Sequence, residues 1–104
     1  MRDYYLGGTR VAFDAIETMR RQLSVKHGPH GIRVVTLASG GVPESIPDGV
    51  EGREEIVELI EGQTLLGRAA TLEDVGNAAA FAASDWARSM TVAIVNVSCG
   101  ARVD

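Results

Sequence analysis

Few residues in this chain have both the type and the spacing to do chemistry: two histidines, one cysteine and the adjacent glycines Gly40-Gly41. His27 and His30 flank Gly28-Pro29. A metal site would need more donors than these two imidazoles supply, no third ligand lies near them in sequence, and Cys99 is remote. At a helix end, however, a histidine interacts favourably with the negative pole of the helix dipole. A capping role is therefore expected for both, and no metal site. Cys99 is the only cysteine, which rules out an internal disulfide and fits a reducing, cytoplasmic setting. It lies in an apolar run, so packing is expected of it rather than reactivity. The glycine pair Gly40-Gly41 lets the backbone come close to a ligand. It opens a segment, Gly40 to Gly52, that holds Pro43 and Pro47 and reads as a long irregular loop of a length often used for function.

The elements that must position these residues can be read from periodicity. Between Thr9 and Lys26, Ala12, Ile16, Met19 and Leu23 recur at helical spacing, and Gly28-Pro29 stops the pattern. The β-branched run Ile32–Leu37 predicts a strand buried on both faces, as in parallel sheets. A short helix is expected over Glu54–Glu61, with Gly62 near its end. Thr71 can cap a longer helix whose dipole favours Glu73 and Asp74 and whose inward face is Val75, Ala78, Ala79 and Ala82; it should end near Ser84-Asp85. Thr91–Val97 predicts a second strand. The order places two parallel strands around a helical crossover, an α/β arrangement with three to four helices. Two such strands make a poor sheet, because each wants a neighbour on both sides.

Composition bounds the rest. The 104 residues allow one domain with a small core, and 45% hydrophobic with 23% charged residues is a globular balance. The net charge of -4 disfavours nucleic acid as a partner; Arg20-Arg21 with Lys26 is the only dense basic cluster and reads as a solvated helix face. No apolar stretch reaches the roughly 20 residues that span a bilayer, and the N-terminus has no signal-peptide pattern. Neither membrane nor nucleic acid is expected as a partner.

Several segments, in order, resemble the end of a short-chain dehydrogenase/reductase. They are Gly28-Pro29-His30-Gly31-Ile32-Arg33-Val34, Ser39-Gly40-Gly41-Val42, Leu66-Gly67-Arg68, Thr71-Leu72-Glu73-Asp74-Val75, Ala83-Ser84-Asp85 and the stretch Thr91 through Gly100. Each is weak alone, but together they cover essentially the whole chain. The resemblance implies the C-terminal part of a Rossmann-type doubly wound fold, residues 1–104, belonging to an oxidoreductase that uses NAD or NADP on an alcohol or carbonyl substrate. It also implies either a homo-oligomer or a partnership with an N-terminal half. No Gly-x-x-x-Gly-x-Gly turn occurs in the sequence, so weak or no cofactor binding is expected of this chain alone.

In that family a Tyr-x-x-x-Lys pair on one helical face carries the acid/base chemistry. The resemblance puts Arg10 at the Lys position and Leu6 at the Tyr position, with Tyr5 one residue away and so rotated by about 100°. Tyr5 and Arg10 are the catalytic candidates on this reading. Arg10 could also hydrogen-bond a ribose, although a guanidinium neither deprotonates nor matches a compact ammonium. The other reading makes Tyr4 and Tyr5 packing or interface aromatics. Gly40, Gly41 and Val42 stand where the family backbone meets the nicotinamide carboxamide and are the cofactor-binding candidates with Arg10. Glu44 stands where a Thr commonly bonds the phosphates, and Pro43–Glu61 matches a variable substrate lid. Arg68 is expected to anchor loop carbonyls, and Trp86 to pack at the sheet rim. Two alternatives stand beside the enzyme reading: a self-associating or docking module, for which Phe13, Met19 and Leu23 leave apolar surface uncovered, and a pseudo-enzyme that binds ligand without turnover.

Overall fold

The structure is a computed structural model that describes residues 8–103. These divide into two compact units: the described residues up to Thr36 with Met90–Ala93, and Leu37–Ser89 with the described residues from Ile94 onward. The element order is α1 (Gly8–His27), β1 (Thr36–Ala38), α2 (Arg53–Gly62), α3 (Leu72–Ala83) and β2 (Ile94–Asn96), with short 3-10 turns at Gly28–His30, Pro43–Ser45 and Asp85–Ala87.

In the first unit α1 forms over the expected span, and the glycine after it ends the helix. Gly31 adopts φ 78°, and its N–H donates to the Gly28 carbonyl at 2.9 Å. Only a residue without Cβ takes that left-handed conformation at little cost. As N-cap of the turn Gly28–His30, His27 makes no side-chain hydrogen bond. Lys26 and His27 do lie in the last turn, where cations suit the dipole. The buried residues of α1 are Arg20 and Ser24, joined by a Ser24 Oγ hydrogen bond to the Arg20 carbonyl at 2.7 Å. Phe13, Met19 and Leu23 remain exposed, as their excess of apolar surface suggested.

The first strand is shorter than the run Ile32–Leu37 predicts, and it is shifted to Thr36–Ala38. Val92 supplies the reason. Its φ of 58° takes it out of extended geometry, so its N–H reaches the Val34 carbonyl at 2.9 Å without continuing a regular ladder. A β-branched residue in that region is strained, and strand pairing cannot run through it. Regular pairing begins with the Thr36 N–H on the Ala93 carbonyl at 2.9 Å, and the second strand contracts likewise from Thr91–Val97 to Ile94–Asn96. The two strands are parallel neighbours.

In the second unit α3 follows its sequence signals closely. Thr71 accepts from the Asp74 N–H, the Asp74 carboxylate accepts from the Thr71 N–H, and the helix ends at Ser84. This capping box satisfies two of the donors that a helix start leaves open. Ala82 is buried and Val75, Ala78 and Ala79 half-buried, which is the expected inward face. The core of the described residues is made of small side chains, Ala70, Ala82 and Ala87, with Ser98 fully enclosed. Trp86 departs from expectation: it is 89% exposed, because the tight turn Asp85–Ala87 sends Ala87 inward in its place.

Candidate functional site

The second unit brings two turns together at the C-terminal ends of β1 and β2, the end of a parallel sheet where open α/β folds bind ligands. The first is Ser39-Gly40-Gly41-Val42. Gly40 has φ 63°, and a Cβ there would lie 3.2 Å from Ser98 Cβ and 3.5 Å from Ala101 Cβ. Gly41 has an ordinary φ but no room: a Cβ would stand 2.7 Å from Ile60 Cγ1 on α2. Both glycines are therefore required by the chain's own packing. The Val42 carbonyl accepts from the Ser45 N–H at 2.9 Å and the Ser45 hydroxyl at 2.6 Å, while the Val42 N–H has no acceptor among the described residues.

The second turn, after β2, is built around Asn96 and Ser98. Asn96 Oδ1 accepts from the Ser98 N–H at 3.1 Å and the Ser98 hydroxyl at 2.6 Å, and Asn96 Nδ2 donates to the Arg102 carbonyl at 2.8 Å. Ser98 Oγ in turn accepts from the Arg102 N–H at 3.0 Å. Burying the Ser98 hydroxyl is tolerable because it donates to Asn96, itself exposed, and accepts from the Arg102 N–H. Cys99 and Gly100 follow with φ 56° and 88°, and the Cys99 carbonyl accepts from both the Leu65 and Leu66 N–H groups at 3.0 Å. The cysteine is half-buried, in keeping with a packing role.

Of the candidates read from sequence, Gly40, Gly41 and Val42 lie together in this turn. Arg10 belongs to the other unit, exposed on α1 with Asp14 at 3.6 Å. Tyr5, with Tyr4 and Leu6, lies outside the described residues. Arg68 is corrected in part: its stronger contact is the Asp74 carboxylate at 3.1 Å, and the Ala69 carbonyl is at 3.5 Å. The Thr71 N–H first, then Arg68 and the Thr71 hydroxyl, hold the Asp74 carboxyl below the usual carboxylate range. The Asp74 hydrogen bond, with Cys99 nearby, raises the Arg68 guanidinium above its own. Glu44 accepts from the Leu72 N–H at the start of α3 at 3.1 Å. Sequence reasoning missed Ile60, Ser98 and Arg53. Arg53 donates Nε to the Ile46 carbonyl and Nη2 to the Pro43 carbonyl, each at 3.1 Å. No signal pointed to Arg53, which stands just before the helix expected over Glu54–Glu61. Among the described residues no group of three His, Cys, Asp or Glu could hold a metal ion, and no helix is long and apolar enough to cross a membrane.

Parallel strands joined through a helical crossover and ending in paired turns define the C-terminal portion of a Rossmann-type fold. The chain belongs to the short-chain dehydrogenases/reductases: the family model described as enoyl-(acyl carrier protein) reductase matches residues 9–102. It is 32% identical to the enoyl-acyl-carrier-protein reductase (NADH) of Haemophilus influenzae over 92% of this chain and 40% of that protein. It is 36% identical to the galactitol 2-dehydrogenase of Rhizobium johnstonii over 86% of this chain and 35% of that one. Among solved structures, the enoyl-acyl-carrier-protein reductase (NADH) of Aquifex aeolicus matches with TM-score 0.75 and 31% identity, covering 90% of this chain and 36% of its own. The chain thus spans well under half the length of these relatives.

Proposed function

We propose that this chain is the C-terminal portion, residues 1–104, of an NAD(P)-dependent oxidoreductase. In this reading the Gly40-Gly41-Val42 turn contributes the wall against the nicotinamide. The observation that carries it is the Val42 N–H beyond the C-terminal end of β1, which has no acceptor among the described residues, in a turn whose two glycines are exposed. Such a donor suits a carboxamide oxygen. The nicotinamide, when bound, supplies or accepts a hydride; the residues described here orient one end of it. The fit extends to that end only, since no glycine-rich phosphate turn lies in the sequence. The substrate class is an alcohol or carbonyl; the names of the relatives point to an enoyl-acyl-carrier-protein and to galactitol. Arg10, and Tyr5 if a shifted helical turn brings it round, are the residues proposed for the chemistry. A small-molecule substrate in the cytoplasm, without nucleic acid or membrane, completes the reading.

Titration calorimetry of the 104-residue chain with NADH and NADPH tests it. Negligible heat is expected for the chain alone, and binding is expected when a polypeptide bearing the missing strands and glycine turn is added. Submillimolar affinity of the chain by itself, or no binding in the reconstituted mixture, would count against the proposal. A second reading, a self-associating module, is favoured by the exposed Val11, Ile16, Met19 and Leu23 on α1. Sedimentation separates the two: concentration-dependent association without cofactor supports the module.

A further inference from the structure

In a regular parallel ladder, every second residue of one strand donates its N–H to a carbonyl of its neighbour and accepts, at its own carbonyl, from an N–H further along that neighbour. Thr36 and Ala38 keep this pattern: the Thr36 N–H donates to the Ala93 carbonyl at 2.9 Å, and the Ala38 carbonyl accepts from the Val97 N–H at 2.8 Å. Carried back to Val34, the pattern calls for the Val34 N–H on the Thr91 carbonyl and the Ala93 N–H on the Val34 carbonyl. Neither bond is made. The Val34 N–H donates instead to the Thr91 hydroxyl at 3.1 Å, and the Val34 carbonyl accepts from the Val92 N–H at 2.9 Å. The Thr91 carbonyl and the Ala93 N–H have no partner among the described residues. One rotation accounts for the exchange. The peptide joining Thr91 to Val92 is turned over, so that its N–H faces β1 where its carbonyl belongs, and the φ of 58° at Val92 marks that turn.

From this geometry we infer that the Thr91–Val92 peptide is a two-state flip, held in its turned-over state by the Thr91 hydroxyl. Both states give Val34 two hydrogen bonds, so their number does not choose between them. Strain opposes the turned-over state: a left-handed β-branched residue is disfavoured by a factor of about 5–30. The hydroxyl opposes the strain by accepting the Val34 N–H that the carbonyl has left, and a hydrogen bond of this kind is worth a factor of about 2–12. Arg33 adds to it, because its Nη1 donates to the Met90 carbonyl at 3.2 Å and fixes the chain one residue upstream. The Val92 side chain is 46% exposed, so turning the peptide back displaces no core. On the side of β2 away from β1, the flip trades a carbonyl acceptor for an N–H donor. A chain pairing with that edge therefore selects one state. Turning the peptide back also restores extended geometry at Val92 and lets β2 reach the length that Thr91–Val97 predicts. The flip lies beyond the oxidoreductase reading and needs no cofactor, so the two ideas fail separately.

Amide hydrogen exchange and carbon chemical shifts, read by NMR on the 104-residue chain, test the flip, because Val92 and Ala93 respond to it in opposite directions. In the wild type the Val92 amide should be protected and the Ala93 amide not. Thr91→Val keeps the shape of the side chain and removes the acceptor. In that variant Val92 should exchange about five- to tenfold faster and Ala93 slower by a similar factor, while Val34 stays protected and the Val92 Cα and Cβ shifts move to strand values. Adding Val92→Gly removes the penalty on positive φ, so the double variant should return the amide at position 92 to within about twofold of wild-type protection. Three results overturn the inference: Thr91→Val leaves Val92 protection and shifts unchanged; Val34, Val92 and Ala93 lose protection together, which is fraying; or the added Val92→Gly restores nothing.

Discussion

Replacing Gly41 by alanine sets one methyl group against one side chain, and the geometry fixes the expected size of the effect. The new Cβ would stand 2.7, 2.9 and 3.0 Å from Cγ1, Cδ1 and Cγ2 of Ile60, closer than carbon atoms pack. All three neighbours are on the same branched side chain, which has no single flexible end to swing away. Overpacking of this kind costs about 1–3 kcal/mol. At about 2 kcal/mol the folded to unfolded ratio falls roughly thirtyfold and the melting temperature of a domain this size drops by about 8–16 °C. Ile60 is half-buried, so Ile60→Ala alone should cost about 1–2 kcal/mol, the lower part of the range for such truncations. In the double variant the alanine methyl occupies space that Ile60 vacates. The double variant should therefore be no less stable than Ile60→Ala, a coupling of about 1–3 kcal/mol. Equilibrium unfolding in urea of the four proteins measures this. Additive losses, or a Gly41→Ala change under about 0.5 kcal/mol, would refute the idea that the second glycine is there for Ile60.

Other outcomes follow from the same structure. Gly100→Ala should be costlier than Gly41→Ala, because φ 88° is strained for alanine and the Cβ meets the Leu65 backbone nitrogen at 3.0 Å as well as its side chain; Leu65→Ala should not rescue it, and full rescue in urea unfolding would contradict the backbone clash. Thr71→Ala should lower stability by about 1 kcal/mol through loss of the α3 cap, read as a fall in thermal midpoint. The folded Asp74 carboxyl ionises below its ordinary range, so its contribution is present above about pH 4 and is lost as pH falls through the folded value. Asp74→Asn should flatten the acid limb of a melting-temperature profile below pH about 4 relative to wild type; identical slopes would remove the effect. Trp86→Ser should leave stability within about 0.5 kcal/mol, since the indole is 89% exposed, and a larger loss in urea unfolding would mean that it packs after all.

Local signals in the sequence determined most of the helices. Thr71 with Asp74 marks the start of α3, the spacing of Val75, Ala78, Ala79 and Ala82 its inward face, and Gly28-Pro29 the end of α1; each of these is decided within a turn or two of chain, where propensity and capping act. The ordered motifs also sufficed for the family, because many weak matches at fixed spacing are jointly specific. Only the tertiary structure decided the rest, where a residue's role depends on a neighbour distant in the chain. The strands contract because Val92 takes a left-handed conformation opposite Val34. Gly41 is fixed by Ile60, and Gly40 by Ser98. Glu44 ties to the Leu72 N–H, 28 residues away, and Trp86 faces water because its neighbour Ala87 takes the inward place. Periodicity reports which face of an element is apolar, but not which atom of a remote segment will fill the space beside it.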